Sequence, residues 1–89
     1  MKITYAGKQF IQKATSNDET LKLRFYGVRS QRGMIIGADI DTLIESDHVI
    51  EFEGFQIGIS PEVLENLQRA TIHAELHPKQ EGIILLNCK

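Results

Sequence analysis

His48-Val49-Ile50-Glu51-Phe52-Glu53-Gly54-Phe55-Gln56-Ile57-Gly58-Ile59 is two alternating runs joined across Glu53-Gly54. Alternation with period two is the signature of strands with one buried face. Gly54 can supply the positive φ that a tight turn demands, so the stretch predicts a β-hairpin. Ser60-Pro61-Glu62 follows at once and announces a short helix. Ser60 is the expected cap, Pro61 sits where its missing N–H costs nothing, and Glu62 meets the helix dipole. Val63, Leu64 and Leu67 give that helix its apolar side.

Downstream, Ala70–Leu76 alternates again, with Ile72, Ala74 and Leu76 on one face and His73, Glu75 and His77 on the other. Pro78–Gly82 turns the chain. Ile83–Leu86 is the last strand, apolar on both faces and so expected in a sheet interior. Upstream, Leu21, Leu23 and Phe25 alternate with Lys22, Arg24 and Tyr26 in a strand, and Gly27–Gly33 reads as a polar, basic connection. Met34–Ala38 is a further strand, and Asp39–Asp47 an acidic loop. At the start, Thr4 is a plausible N-cap for a helix over Tyr5–Ala14, in which Phe10, Ile11 and Ala14 fall at helical spacing.

These elements make an α+β class: mixed, largely antiparallel sheets of about five to seven short strands packed with two short helices. Eighty-nine residues suffice for a single domain spanning 1–89, with no repeat or linker. The expected core draws on Phe10, Leu21, Leu23, Phe25, Ile50, Phe52, Ile57, Leu64, Leu67, Ile72, Ile84 and Leu85.

Hydrophobic residues make up 42% and charged residues 25%, a globular rather than disordered balance. Met1–Thr15 has no continuous apolar core, being interrupted by Lys2, Lys8 and Lys13, so no secretory signal is expected, and no apolar run approaches the roughly 18 residues of a membrane span. With a single cysteine, which cannot close an internal bridge, a cytoplasmic location fits.

Charge is unevenly spread. Residues 1–32 hold seven basic residues against Asp18 and Glu19, a balance of +5, while residues 33–66 hold eight acids and no Lys or Arg. Residues 67–89 add +1, for a net −2. Such poles suit docking to a protein partner, or neutralise each other in the fold. The overall acidity argues against nucleic acid.

Candidate chemistry is sparse. His73, Glu75 and His77 form a His-x-Glu-x-His pattern of metal-ligand types. On a strand the two histidines stand about 13 Å apart, too far to share one zinc ion. A solvent-facing polar face accounts for the same pattern. Cys88 lacks the positioned base that a nucleophile needs; as a metal ligand it would supply one thiolate per chain across an oligomer. Arg29-Ser30-Gln31-Arg32-Gly33 has the guanidiniums, hydroxyl and glycine of a small anion-binding loop, with Arg29 and Arg32 as the binding groups. It lacks phosphate-loop spacing and a following helix, so an ordinary basic loop explains it as well. Ser30, Ser46 and Ser60 have no nearby His/Asp arrangement, and no catalytic residue is assigned.

From Leu21 onward the order of features resembles the HesB-like domain of A-type iron–sulfur cluster biogenesis proteins. Leu21-Lys22-Leu23 matches the family's Leu-x-Leu/Val strand, Arg29–Gly33 the place of its Cys-Ser/Ala-Gly loop, and Asp41–Asp47 its acidic loop. His48–Ile59 matches the glycine-turned hairpin, Ala70-Thr71-Ile72 a strand start, and Gly82-Ile83-Ile84-Leu85-Leu86-Asn87 the final Gly-Phe-x-Phe-x-Asn strand. The resemblance spans nearly the whole chain. The ligands do not follow. The family's first cysteine falls near Ser30 or Gln31, its paired cysteines in Cys-Gly-Cys fall past Lys89, and Cys88 matches neither. Clusters of this kind need several thiolates.

The resemblance therefore implies a non-catalytic HesB-like accessory or binding protein, linked to iron–sulfur cluster biogenesis, with a protein partner and no cofactor. One alternative is an iron or cluster carrier using Cys88 across a homo-oligomer. A second is anion or phosphate-ester chemistry at Arg29–Gly33.

Overall fold

The computed structural model describes residues 1–16, 18–52, 54–76 and 81–86, side chains excepted at positions 52, 76, 81 and 84. In chain order the elements are β1 (Lys2–Ile3), α1 (Tyr5–Thr15), β2 (Lys22–Ser30), β3 (Gly33–Asp41), β4 (His48–Phe52) and β5 (Phe55–Ile59). A 3₁₀ turn at Pro61–Val63 leads into α2 (Leu64–Leu67), and β6 (Thr71–Leu76) and β7 (Glu81–Leu86) complete the fold. The strands form two sheets, ordered β3-β2-β5-β4 and β1-β6-β7. Three of their pairings are antiparallel and two, β1 with β6 and β2 with β5, are parallel.

The expected hairpin is present. Ile50 faces Ile57 and Phe52 faces Phe55, with Gly54 at φ 89° in the turn. Helix α1 begins as expected too: the Gly7 amide donates to the Thr4 hydroxyl at 3.1 Å, satisfying one orphan donor of the first turn. Gly7 and Ile11, one turn apart, make the buried face of α1. A Cβ on Gly7 would stand 2.8 Å from the Ile72 carbonyl oxygen, so only glycine lets the helix lie this close to β6.

The core lies between the two sheets and the helices. Leu23 and Phe25 on β2 stand beside Ile57 and Ile59 on the parallel β5, all four buried. Leu67 and Ile72 are buried as expected; Ile11, Ile59, Val63, Ala70 and Ala74 join them without having been expected. Phe10, Leu21, Ile50, Leu64 and Leu85 are half-buried at its margin, and the side chains of Phe52 and Ile84 lie outside those described. Fully burying a side chain such as Leu23 or Phe25 contributes about 1.5–3 kcal/mol.

Several expectations are corrected. The connection at 27–33 is not a loop: β2 runs on to Ser30, and only Gln31 and Arg32 turn the chain. Strand β3 likewise extends through Asp41, where a loop was expected: its register with β2 runs unbroken to Asp39 opposite Arg24 and Asp41 opposite Lys22. Ser60 makes no side-chain cap; its hydroxyl donates to the Glu62 carboxylate instead. Strand β7 is an edge rather than an interior strand: Ile83 and Leu85 pack on the core while Leu86 is exposed. Strand β1 was not expected, since two residues show no period; it is held by Lys2 N–H to Ala70 C=O and Thr4 N–H to Ile72 C=O at 3.0 and 2.9 Å.

Candidate functional site

The position at which the resemblance places a first cysteine is the tip of the β2–β3 hairpin. Ser30 and Gly33 face each other across the turn, and Gly33 takes a φ of 112° that favours glycine. The Ser30 hydroxyl donates to the Gly33 carbonyl at 2.7 Å and accepts the Arg32 amide at 3.3 Å. It is therefore committed to closing the turn. Gln31, Arg29 and Arg32 are exposed. Arg29 lies within β2 opposite Met34 and Arg32 in the turn, so the two guanidiniums sit on a strand end and a hairpin tip rather than on a loop that wraps a ligand.

His73 is drawn out of the expected polar row. Its Nδ1 lies 2.7 Å from the Thr4 hydroxyl, so the ring ties β6 to the start of α1 across 69 residues. The same hydroxyl caps the helix, which makes one threonine the hinge of two contacts. His77 and Cys88 lie outside the described residues. Among the described residues no group of three or more His, Cys, Asp or Glu side chains could hold a metal ion.

The most strongly built polar feature was not anticipated. The Arg24 guanidinium forks onto the Asp47 carboxylate, Nε to Oδ2 at 2.5 Å and a terminal nitrogen to Oδ1 at 2.7 Å. The side chains are 12% and 0% exposed. Asp47 Oδ2 also accepts the Ile44 amide at 3.1 Å, so one buried carboxylate folds the acidic segment back over the sheet. The Arg24 hydrogen bond holds Asp47 below the usual carboxylate range. Gly58 lies beneath; a Cβ there would run into Leu43 and come within 3.0 Å of Asp47. No spacing rule links residues 24 and 47. An aspartate in a loop and an arginine on a strand are each unremarkable alone.

Beside this, Glu62 accepts the Ser60 hydroxyl and, at 3.3 Å, the Gly27 amide, and the Ser60 bond holds it below its ordinary value. From β2 the Tyr26 hydroxyl donates to Asp39 on β3 at 2.8 Å, which raises the phenol above its usual value. A cleft of about 460 Å³ opens between β3 and β7, walled by Phe10, Ile36, Ile40, Ile83 and Leu85 with Asp39 among its lining. Apolar walls of this kind suit an apolar side chain or ligand; they place no nucleophile beside a base.

Comparison with solved structures identifies the architecture as the A-type, HesB-like fold. The chain matches the crystal structure of IscA with its 2Fe–2S cluster at 15% identity and a TM-score of 0.72, over 97% of this chain and 83% of that one. It matches Escherichia coli SufA, involved in biosynthesis of iron–sulfur clusters, at 11% identity and a TM-score of 0.74, over 97% and 78%. A protein from Aquifex aeolicus solved by NMR matches at 27% identity and a TM-score of 0.69, over 98% and 90%. No family model matches the sequence, and no curated protein does so at a significant level.

Proposed function

We propose that this chain is a non-catalytic HesB-like accessory protein that acts through a protein partner in cytoplasmic iron–sulfur cluster biogenesis. On this reading it holds no cluster through the ligands its relatives' family uses. The observation that carries the reading is the hairpin tip. A fold shared with IscA and SufA ends there in Ser30-Gln31-Arg32-Gly33, with the serine hydroxyl consumed in the turn. A hydroxyl does not replace a thiolate on iron, and residues 1–89 hold one cysteine. No helix among the described residues is long and apolar enough to cross a membrane.

A second reading, an iron or cluster carrier that uses Cys88 across an oligomer, is favoured by the cluster in the IscA structure. Anaerobic reconstitution with iron and sulfide separates the two, read by visible absorbance and metal content on the wild type and Cys88→Ser. The accessory reading expects a colourless protein in both. A stoichiometric chromophore that disappears in Cys88→Ser overturns it in favour of the carrier.

A further inference from the structure

The cleft between β3 and β7 is bordered by two open sheet edges. Strand β3 ends one sheet and β7 the other, and among the described residues neither edge carries a further strand. The hydrogen bonds fix which backbone groups face the gap. The Phe25 carbonyl accepts from the Ser60 amide and the Gly27 amide donates to Glu62, so odd residues of β2 point away from β3 and even ones toward it. Their partners on β3 are odd-numbered, which leaves the N–H and C=O groups of Ile36, Ala38 and Ile40 pointing outward. In the other sheet the Ile72 carbonyl accepts from the Thr4 amide, so even residues of β6 turn toward β1 and odd ones toward β7. The odd residues pair with even ones on β7, which leaves the backbone of Ile83 and Leu85 directed outward.

These same five residues line the cleft. Ala38 is exposed between half-buried Ile36 and Ile40, a notch in an otherwise apolar wall. Open strand backbone beside apolar walls selects the shape of the occupant. An extended segment satisfies the outward N–H and C=O groups, whereas a helix or a small apolar molecule leaves them bare. The volume agrees. At a strand spacing of about 4.8 Å, a rise of about 3.3 Å and a sheet spacing of about 10 Å, an added strand fills roughly 160 Å³ per residue. A cleft of about 460 Å³ therefore takes about three residues.

The alternation of β3 then sets the occupant's chemistry. Residues facing Ala38 and Ile40 share their inward face and lie among apolar side chains. The residue between them faces Asp39 on the outer face. Asp39 is exposed and has one carboxylate oxygen on the Tyr26 hydroxyl, while Arg24, across from it on β2, is spent on Asp47. A lysine or arginine facing Asp39 supplies the missing cation.

The geometry points to the β3–β7 cleft as a peptide-binding site: an extended apolar–basic–apolar segment of a partner adds antiparallel to β3, its basic residue facing Asp39. This names a surface and a partner chemistry for the protein-partner reading above, on which it rests.

Titration of the isotope-labelled chain with acetyl-Thr-Val-Lys-Val-Thr-amide, followed by backbone amide NMR shifts, tests it. Saturable shifts are expected at Ile36, Ala38, Ile40, Ile83 and Leu85. Replacing the peptide's lysine by glutamate should weaken binding about threefold or more, and Asp39→Lys should reverse that preference. Methylating both valine amides, which face β3 in this pairing, should abolish binding. The proposal is overturned if no saturable shift develops by about 5 mM peptide. Shifts confined to other residues, or equal binding of the glutamate or methylated peptide, overturn it as well. So do shifts at these amides on concentrating the chain alone with no response to peptide, which would give the edge to a second copy. A protein that stays colourless on reconstitution and ignores the peptide strikes this site and keeps the accessory reading. A chromophore lost in Cys88→Ser, with peptide bound as expected, does the reverse.

Discussion

Replacing Asp47 by alanine removes the acceptor from a guanidinium that the fold has already taken out of water. Arg24 is 12% exposed and has its Nε and one terminal nitrogen bonded to Asp47, whose carboxylate is fully covered. Leaving one member of a buried pair behind costs about 3–5 kcal/mol, and the slight exposure of Arg24 places this case toward the lower end. The Ile44 amide loses its acceptor as well, adding about 1 kcal/mol or less if water reaches it. A chain of this length is expected to be stable by roughly 4–13 kcal/mol in all, so a loss of about 3 kcal/mol takes a large share. It should lower the thermal midpoint by about 12 °C or more. Urea unfolding followed by circular dichroism reads the change directly. Arg24→Met/Asp47→Leu, which removes both charges and keeps the bulk, should recover much of it. The pH dependence has a definite sign. Arg24 depresses Asp47 in the folded state, so the contribution is fully present above the unfolded carboxylate value of about 3.9 and is lost as pH falls through the lower folded value. The wild type should therefore lose stability more steeply below about pH 4 than the uncharged pair. A loss under about 1 kcal/mol for Asp47→Ala would mean that the pair behaves like an exposed one, refuting the argument.

Two further predictions concern α1. Gly7→Ala should destabilise by about 1–3 kcal/mol despite the better helix propensity of alanine, because the atom in its way is a backbone oxygen that cannot rotate aside; equal or greater stability in urea would contradict the close approach. Thr4→Ala should cost about 0.5–2 kcal/mol through the lost cap, while Thr4→Ser, which keeps the hydroxyl, should cost less. Amide exchange in the first turn of α1 should quicken in the alanine variant alone.

What could be read from the chain alone was whatever neighbours in sequence decide together. The alternation and glycine of His48–Ile59, the Thr4 cap and the Pro61 helix start are each complete within a few residues, and all appear where expected. The dispersed pattern from Leu21 to Asn87 also carried the resemblance to the HesB-like fold. Composition misled where charge stood for a loop: Asp39 and Asp41 look like solvent-facing turn residues until Arg24 and Lys22 are placed across from them. Tertiary structure alone decided that β5 lies parallel to β2, that His73 meets Thr4, and that Asp47 is buried beneath the fork of Arg24. Those contacts join residues from 23 to 69 positions apart. Periodicity tells which face of an element is apolar, but the choice of neighbour depends on how distant faces pack and which buried charges can be satisfied there.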